Sequence, residues 1–199
     1  SDIAPWHSEY ELEQLPDFRE IAESLGRAGK LAELYNQRIT THPGPFNKLT
    51  SPTPHVVTNT IVDLENHGRI FDLMGLPRSP YAKINIHVGA HYNNKPMAID
   101  NFCRNFEHLS ESVQSRLTVE NDDKASLYSA KELYDEVYSR IGIPIVFDYH
   151  HHKFCDGDQD EEEALLTACM TWGDIRPVVH YSQSRSVEHD DPKIRDNAH

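Results

Sequence analysis

The 199-residue sequence has no apolar run long enough to cross a bilayer, since a spanning helix needs about 20 predominantly apolar residues. Its first residues lack the basic segment and apolar block that mark a secretory signal. We therefore expect an intracellular protein of the cytoplasm, nucleoid or nucleus, with no membrane partner. Its three cysteines are scattered and form no CxxC pair, which favours a reducing compartment and argues against a disulfide framework.

Two further features are scarce: phosphate-loop motifs and positive charge. Neither GxGxxG nor GxxxxGK[ST] occurs, which argues against folds built on those loops. The 19 Lys and Arg residues against 32 Asp and Glu residues give a formal net charge of −13. This balance disfavours nucleic acid as a partner, because phosphate binding relies on Lys and Arg. The argument is weaker if some acids bind divalent cations, since a bound cation offsets their charge.

Short β-prone runs alternate with amphipathic segments along most of the chain. The clearest strand is 83–88, because its polar and apolar residues alternate strictly. Predicted strands are 38–41, 83–88, 117–120, 144–148 and 176–180. Predicted helices lie within the first 35 residues and over 56–74, 99–113, 129–141 and 160–170. Strand followed by helix, five times over, predicts βα units and a parallel sheet.

The length predicts one domain over residues 1–199, because a chain of this size supports one substantial core and not two comfortable ones. Helices between parallel strands are typical of two architectures. One is an open, doubly wound sheet and the other is a (β/α) barrel, and the periodicity leaves both open. Three stretches between or after these elements, 43–54, 75–81 and 182–199, are expected to be loops at the surface.

Each predicted strand ends at or near a histidine or a carboxylate, namely His42, His87, Glu120, Asp148 with His151, and His180. In a (β/α) barrel these carboxyl ends form the rim that carries the active site. Imidazole nitrogen and carboxylate oxygen together suit Zn, Mn, Fe or Ni. A single histidine at a strand end is more often solvated or hydrogen-bonded, but five such ends favour a metal centre. Paired ions in such a centre can clamp a phosphoester.

The run FDYHHH, residues 147–152, follows an apolar strand and places three histidines after one carboxylate. Asp148 and His151 are three residues apart and are the favoured ligand pair. His150 and His152 are expected to be supporting or surface groups. His91 is expected to be an ordinary loop residue.

Five ordered blocks resemble UV damage endonuclease: HPGPFNKLTSP (42–52), VENDDK (119–124), FDYHHH (147–152), RPVVHYSQSR (176–185) and DNAH (196–199). That family is a (β/α) barrel related to endonuclease IV and to sugar isomerases. The resemblance implies an α/β fold of the (β/α)8 TIM-barrel type, incomplete at both ends, with about five βα units. It implies a DNA repair endonuclease, a hydrolase that nicks UV-damaged double-stranded DNA 5′ to cyclobutane pyrimidine dimers and (6-4) photoproducts. The products would be a 3′-hydroxyl and a 5′-phosphate.

The resemblance also implies up to three divalent metal ions, manganese in the first place, with zinc or cobalt as alternatives. His42, His87 and Glu120 would hold one ion. Glu120 would bridge to a second ion, held also by Asp148 and His180. Glu120, Asp148 and His180 are the residues that the resemblance implies to be catalytic.

A third ion would be held by His151 and His199. At two positions the chain departs from the family pattern. Pro45 stands where the family usually has Gln, and Val178 stands where a metal-side Lys is expected two residues before His180. Both departures bear on whether this chain cleaves DNA.

The residues implied to contact DNA or probe the lesion are Pro45, Phe46, Asn47, Lys48, Tyr181, Ser182 and Arg185. An aromatic ring such as that of Phe46 can stack where bases are displaced from the duplex. Lys48 and Arg185 could equally be ordinary surface residues. Two alternatives stay open: a sugar isomerase or epimerase on the same barrel, and an inactive metal- or DNA-binding remnant. The sequence does not determine the oligomeric state.

Overall fold

A computed structural model of the chain describes residues 11–188, 193, 195 and 196. Within them, four strands form one parallel sheet in the order β1-β2-β3-β4. The strands are β1 (Ile84–His87), β2 (Leu117–Glu120), β3 (Ile145–Asp148) and β4 (Val179–His180). Each strand pairs with the next one along the chain, which is the strand order of a section of a (β/α) barrel.

Helices separate the strands, so the α/β class expected from the sequence is confirmed. In chain order they are α1 (Phe18–Leu34), α2 (Pro54–Leu73), α3 (Lys95–Phe106), α4 (Glu111–Gln114), α5 (Ala130–Leu133), α6 (Ser139–Ile141), α7 (Tyr149–His152), α8 (Glu161–Met170) and α9 (Arg185–Glu188). A π-helical segment, Tyr134–Tyr138, joins α5 to α6. Short 3-10 turns lie at Leu12–Gln14 and Pro80–Ala82. Among the described residues, no helix is both long and apolar enough to cross a membrane.

The predicted first strand, 38–41, is wrong as a strand, because it contributes one parallel bridge between Thr41 and Ile84. The start of the segment is held by a side chain. The Arg38 guanidinium donates to the carbonyl oxygens of Tyr81 at 2.7 Å and of Arg176 at 2.5 Å. At Thr41 the backbone also contributes, because its amide donates to the Lys83 carbonyl and its carbonyl accepts from the Asn85 amide, both at 2.9 Å.

Two further predicted elements are shorter than expected. The last strand begins at Val179 and not at 176, since Pro177 has no amide hydrogen to donate to a ladder. The helix predicted over 99–113 is two helices, α3 and α4, with an earlier start at Lys95. Between them the Gln114 side-chain amide donates to the Leu109 carbonyl at 2.8 Å, which stabilises the turn.

The capping box predicted at the start of α5 is confirmed. The Ser129 hydroxyl accepts from the Glu132 amide at 3.2 Å, and the Glu132 carboxylate accepts from the Ser129 amide at 3.0 Å. These contacts satisfy two amides that the helix itself leaves without partners. They fix where the chain turns from the loop after β2 into α5.

Strands β1, β2 and β3 are buried on both faces apart from the half-buried His87, as is typical of parallel strands under helices. The edge strand β4 is more exposed. Ile84 and Ile86 of β1 belong to the apolar core, and the opposite face of the strand carries polar groups. On that face the Thr118 hydroxyl donates to the Asn85 side-chain oxygen at 2.8 Å. The inner face of the sheet is therefore a hydrogen-bonded layer, and Glu120 lies at its carboxyl-terminal end.

Candidate metal centre

Strand register brings the predicted ligands to one edge of the sheet. His87 at the end of β1 is the register partner of Glu120 at the end of β2. Asp148 at the end of β3 is likewise the partner of His180 in β4. Because the strands are parallel and in register, their carboxyl ends form one rim, as the sequence predicted.

Glu120 is the centre of this rim, and only 1% of it is exposed. Its Oε1 lies 3.1 Å from Nδ1 of His180 and 3.5 Å from Nδ1 of His151. Its Oε2 lies 3.8 Å from Nε2 of His42 and accepts a short hydrogen bond from the Asn85 amide. The carboxylate thus has imidazoles on both of its oxygens.

Two groups of side chains within the described residues could each hold a cation. The first is His42, His87 and Glu120, and the second is Glu120, Asp148 and His151. In each group the three donor atoms lie within 4.8 Å of one another. Glu120 belongs to both groups, so its two oxygens could bridge two ions. Mixed imidazole and carboxylate donors of this kind fit Mn, Zn or Co.

The position of His180 differs from the expected ligand grouping. Its Nδ1 lies 3.9 Å from Oδ2 of Asp148 and closer to Glu120, but the second ligand group contains His151 in its place. The structure therefore places four histidines around Glu120, namely His42, His87, His151 and His180. The ligand assignment of His180 stays a prediction. His199 lies outside the described residues.

The electrostatics of the rim favour the protonation states that bind metal. Burial acts to raise the pKa of Glu120, but the hydrogen bond from His180 and the nearby His87 and His42 lower it to about 2. Burial lowers the pKa of His42 to about 4, and Glu120 opposes this only in part. At neutral pH the carboxylate is ionised and the His42 imidazole is neutral, which are the forms that ligate a cation.

The FDYHHH run is a strand end followed by one helical turn. Asp148 ends β3 and caps α7, since its Oδ1 accepts from the amides of His150 at 2.7 Å and of His151 at 2.9 Å. The cap turns the chain so that His151 projects back to Glu120. The pairing of Asp148 with His151 predicted from their spacing is confirmed as a geometric proximity.

The expectation that His150 and His152 could be surface groups is wrong. Both are buried, at 2% and 5% exposed. His150 packs edge-on against Phe154 with ring centroids 5.2 Å apart, and His152 lies 5.2 Å from the Phe147 ring. Both imidazoles are therefore packed in the interior of the protein and are not surface groups.

Sequence reasoning missed two residues that organise the rim, Asn121 and Asp122. The Asn121 side chain donates to the Asp148 carbonyl at 3.0 Å and accepts from the Asp148 amide at 2.8 Å. Asp122 Oδ1 lies 3.1 Å from Nδ1 of His87. Both residues fall in the VENDDK block, and an acid or amide directly after a strand-end ligand was the signal that could have identified them.

A cavity of about 630 Å³ opens beside the rim, and it is lined by both metal-site and loop residues. His42, His87 and His151 form one wall. Pro45 and Lys48, two of the predicted DNA contacts, form part of another. The loop after His42 therefore borders the candidate metal centre, as a lesion-probing loop would need to.

The other predicted DNA contacts differ in exposure. Phe46 is 86% exposed and Tyr181 is 85% exposed, so both rings are available to a partner. Asn47, in contrast, is buried, and its amide donates to the Gly44 carbonyl at 3.1 Å and to Asp63 at 2.8 Å. Its amide hydrogens therefore hold the shape of the loop. Ser182 is half-buried and Arg185 is exposed, and their contact with DNA stays a prediction.

Comparison with known proteins supplies the family. The sequence profile described as UV-endonuclease UvdE matches residues 1–198. The UV DNA damage endonuclease of Bacillus cereus (strain G9842) is 38% identical over 190 residues, which cover 94% of this chain and 57% of that protein. The UV DNA damage endonuclease of Bacillus anthracis (strain A0248) is 37% identical with the same coverage. The chain thus spans less than two thirds of the length of the relatives it matches.

Solved structures agree on the fold. The crystal structure of SacUVDE superposes with a TM-score of 0.81 at 30% identity, covering 96% of this chain and 60% of that one. A D-psicose 3-epimerase from Clostridium cellulolyticum H10, solved with D-tagatose, gives a TM-score of 0.62 at 13% identity, over 81% of this chain and 58% of that one. At 13% identity, the similarity to the epimerase shows a shared fold and no shared function. With the profile, the curated relatives and the SacUVDE structure in agreement, the chain belongs to the UV-endonuclease UvdE family.

Proposed function

We propose that this chain carries the metal-binding part of a DNA repair endonuclease that hydrolyses the phosphodiester bond 5′ to UV photoproducts. The observation that carries the proposal is Glu120, a buried carboxylate shared by two groups of metal-binding side chains. The substrates would be cyclobutane pyrimidine dimers and (6-4) photoproducts in duplex DNA. The family membership and the names of the relatives support this choice.

The proposed roles of the rim residues follow from their donor atoms. His42 and His87 would hold one cation with Glu120, while Asp148 and His151 would hold another with it. Manganese is the proposed metal, and the donor set also suits zinc or cobalt. When bound, such ions would activate a water molecule and neutralise charge on the phosphate. The chain itself would hold the ions in place, and no side-chain nucleophile would be required.

The loop after His42 supports a duplex as the partner. Phe46 projects its ring away from the protein, where it could stack on a base next to the displaced lesion. Two positive side chains, Lys48 and Lys124, line the cavity beside the metal-binding rim. They supply local positive charge for a phosphate although the chain has a net charge of −13.

The proposal is tested with an end-labelled duplex that carries one cyclobutane dimer, incubated with the chain and Mn²⁺. We expect one nick immediately 5′ to the dimer and no nick in the undamaged duplex of the same sequence. Equal cleavage of both duplexes would remove the lesion specificity. Binding without cleavage under every divalent metal would indicate an inactive remnant, in line with Val178 and Pro45. Turnover of ketoses without DNA cleavage would indicate an epimerase.

A further inference from the structure

The rim contains a buried carboxylate that neither ligand group uses. Asp122 follows β2 by two residues and is only 4% exposed. Its Oδ1 lies 3.1 Å from Nδ1 of His87, which belongs to the first ligand group. A carboxylate is costly to bury unless its charge is paired or hydrogen-bonded. The position of Asp122 therefore needs a compensating interaction. The His87 imidazole is near enough to supply it when its Nδ1–H points at the carboxylate, an alignment that the ring does not have in this structure.

Asp122 is itself held in place by the backbone of Tyr128. Its Oδ2 accepts from the Tyr128 amide at 3.3 Å, and its own amide donates to the Tyr128 carbonyl at 2.9 Å. These two contacts leave Oδ1 directed at His87. Tyr128 is buried as well, whereas Asp122 and His87 both line the cavity beside the rim.

The contact to Asp122 decides which ring nitrogen of His87 can bind a cation. A proton on Nδ1 that points to the carboxylate leaves Nε2 with its lone pair for the metal. His151 shows the aligned form of such a contact, because its Nδ1 lies 2.8 Å from the carbonyl oxygen of Asn121. Ligating histidines in proteins generally have such a partner, which fixes the tautomer and the ring. At His151 the partner is backbone and cannot be substituted, whereas at His87 it is a side chain.

We propose that Asp122 is a positioning residue of the metal centre, whose carboxylate accepts the Nδ1 proton of His87 and orients that ring to bind a divalent cation through Nε2. The inference rests on the metal-binding part of the proposed function and not on its DNA substrate. It gives separate tasks to the last residue of β2 and the two residues that follow it. Glu120 would bind the cations, Asn121 hydrogen-bonds to the backbone of β3, and Asp122 would orient His87.

The first test measures Mn²⁺ binding calorimetrically, without DNA, for the parent chain and three variants. We expect Asp122→Ala to weaken the affinity by about 10- to 100-fold, the usual effect of removing such a partner. Asp122→Asn keeps an oxygen that can accept the Nδ1 proton, so we expect it to recover part of the loss. Asp174→Asn removes the same charge from an exposed loop and is expected to keep the parent affinity.

The second test reads the tautomer of His87 directly by ¹⁵N NMR of the metal-free protein at about pH 9, where imidazoles are neutral. His87 signals are assigned from their loss in His87→Gln. The parent should show the Nδ1–H form, and Asp122→Ala should shift the ring towards the Nε2–H form. A merely structural role for Asp122 would not change the tautomer.

The inference is overturned if folded Asp122→Ala, checked by circular dichroism, keeps both the parent tautomer and the parent affinity. Should that variant fail to fold, Asp122→Asn decides. An amide oxygen is a weaker acceptor than a carboxylate, so we expect its affinity to be several-fold below the parent, and equal affinity would refute the role. A chain that binds Mn²⁺ in this Asp122-dependent way but nicks no damaged DNA would contradict the proposed endonuclease and leave this inference intact.

Discussion

At the scale of single residues, Glu120 is the side chain on which the proposed metal centre depends, because both ligand groups include it. Glu120→Gln keeps the shape of the side chain but removes the charge and one bridging oxygen. We expect the rate of nicking at saturating Mn²⁺ to fall by more than about 100-fold, since even supporting residues of metal sites account for 10- to 100-fold. Initial rates on the dimer-containing duplex measure the effect.

His91→Ala is the matched control for that substitution. His91 is a loop residue four positions after β1, and its Nδ1 accepts from the Asn93 amide at 3.1 Å. We expect its nicking rate to stay within about twofold of the parent, as is usual for substitutions away from a functional site. If Glu120→Gln nicks as fast as His91→Ala, Glu120 does not bridge the ions.

Phe46 gives a second prediction at this scale, concerning DNA and not metal. Because 86% of the residue is exposed, Phe46→Ala should leave the free energy of unfolding within about 0.5 kcal/mol of the parent. Loss of stacking on a base should weaken binding to the damaged duplex by about 1–3 kcal/mol. Fluorescence anisotropy in the Glu120→Gln background, which prevents cleavage, gives the affinity.

The control for Phe46 is Leu166→Ala, which removes another exposed apolar side chain, on α8. We expect it to bind the damaged duplex like the parent, because Leu166 lies outside the loop after His42 and the cavity beside the rim. Equal losses for the two variants would mean that the effect of Phe46 is general surface hydrophobicity and not stacking in the lesion-probing loop.

At the scale of elements, the end of α2 is joined to α4 and β2 through one buried guanidinium. Arg116 is fully buried and donates to Asp72 at 2.8 Å and to the carbonyl oxygens of Leu76 at 2.7 Å and Pro77 at 3.0 Å. Breaking such a pair from one side leaves a buried charge without its partner. We therefore expect Asp72→Asn to lower the free energy of unfolding by about 3 kcal/mol at pH 7.

The same pair predicts a pH dependence. Burial acts to raise the pKa of Asp72, but hydrogen bonds from Arg78 and Arg116 lower it below its ordinary value of 3.8. The stability that the ionised carboxylate contributes is therefore fully present above pH 3.8 and is lost as the pH falls through the lowered pKa. The difference in the free energy of unfolding between the parent and Asp72→Asn, measured by urea unfolding, should therefore become smaller at acid pH.

Asp100→Asn is the comparison for Asp72, since Asp100 pairs with Arg140 at 2.9 Å on the surface. Exposed pairs contribute about 0–1 kcal/mol, so we expect little change in its urea midpoint at any pH. If the two variants unfold at the same urea concentration, Arg116 does not depend on Asp72 for its charge balance.

The elements also show what sequence reasoning could and could not predict. Strand 83–88 and the helix start at Ser129 were predictable, because strict alternation and a capping box are local signals. The segment 38–41 was not, since whether it joins the sheet depends on Arg38 and its partners more than 40 residues away. A similar limit applies to the break between α3 and α4, where the Gln114 side chain stabilises the turn.

In the candidate site, too, some features could be predicted from the sequence and others could not. Glu120, Asp148 and the histidines could be predicted because parallel strands carry their last residues to one rim whatever the details of packing. The burial of His150 and the contact of Asp122 with His87 could not. Both depend on the direction in which the chain turns after a strand, and that direction is set by Asp148 as a cap and by the backbone of Tyr128.

At the scale of the whole molecule, the net charge of −13 would couple the proposed metal binding to stability. Acids gathered at one rim repel one another in the metal-free chain, and bound cations would offset that charge. A cation that binds the folded state alone stabilises it by about 2.7 kcal/mol at 100 times its dissociation constant. For a chain of this length, that corresponds to a rise in Tm of roughly 5–10 °C.

Differential scanning calorimetry with and without Mn²⁺ measures this coupling without DNA or turnover. We expect EDTA to reverse the rise, and Glu120→Gln to lose most of it, because that variant removes the carboxylate common to both ligand groups. Phe46→Ala should keep the full rise, since its ring is exposed and belongs to neither group. If Mn²⁺ raises the Tm of Glu120→Gln as much as that of the parent, the stabilising ions bind elsewhere on the acidic surface. The rim would then not be the metal centre.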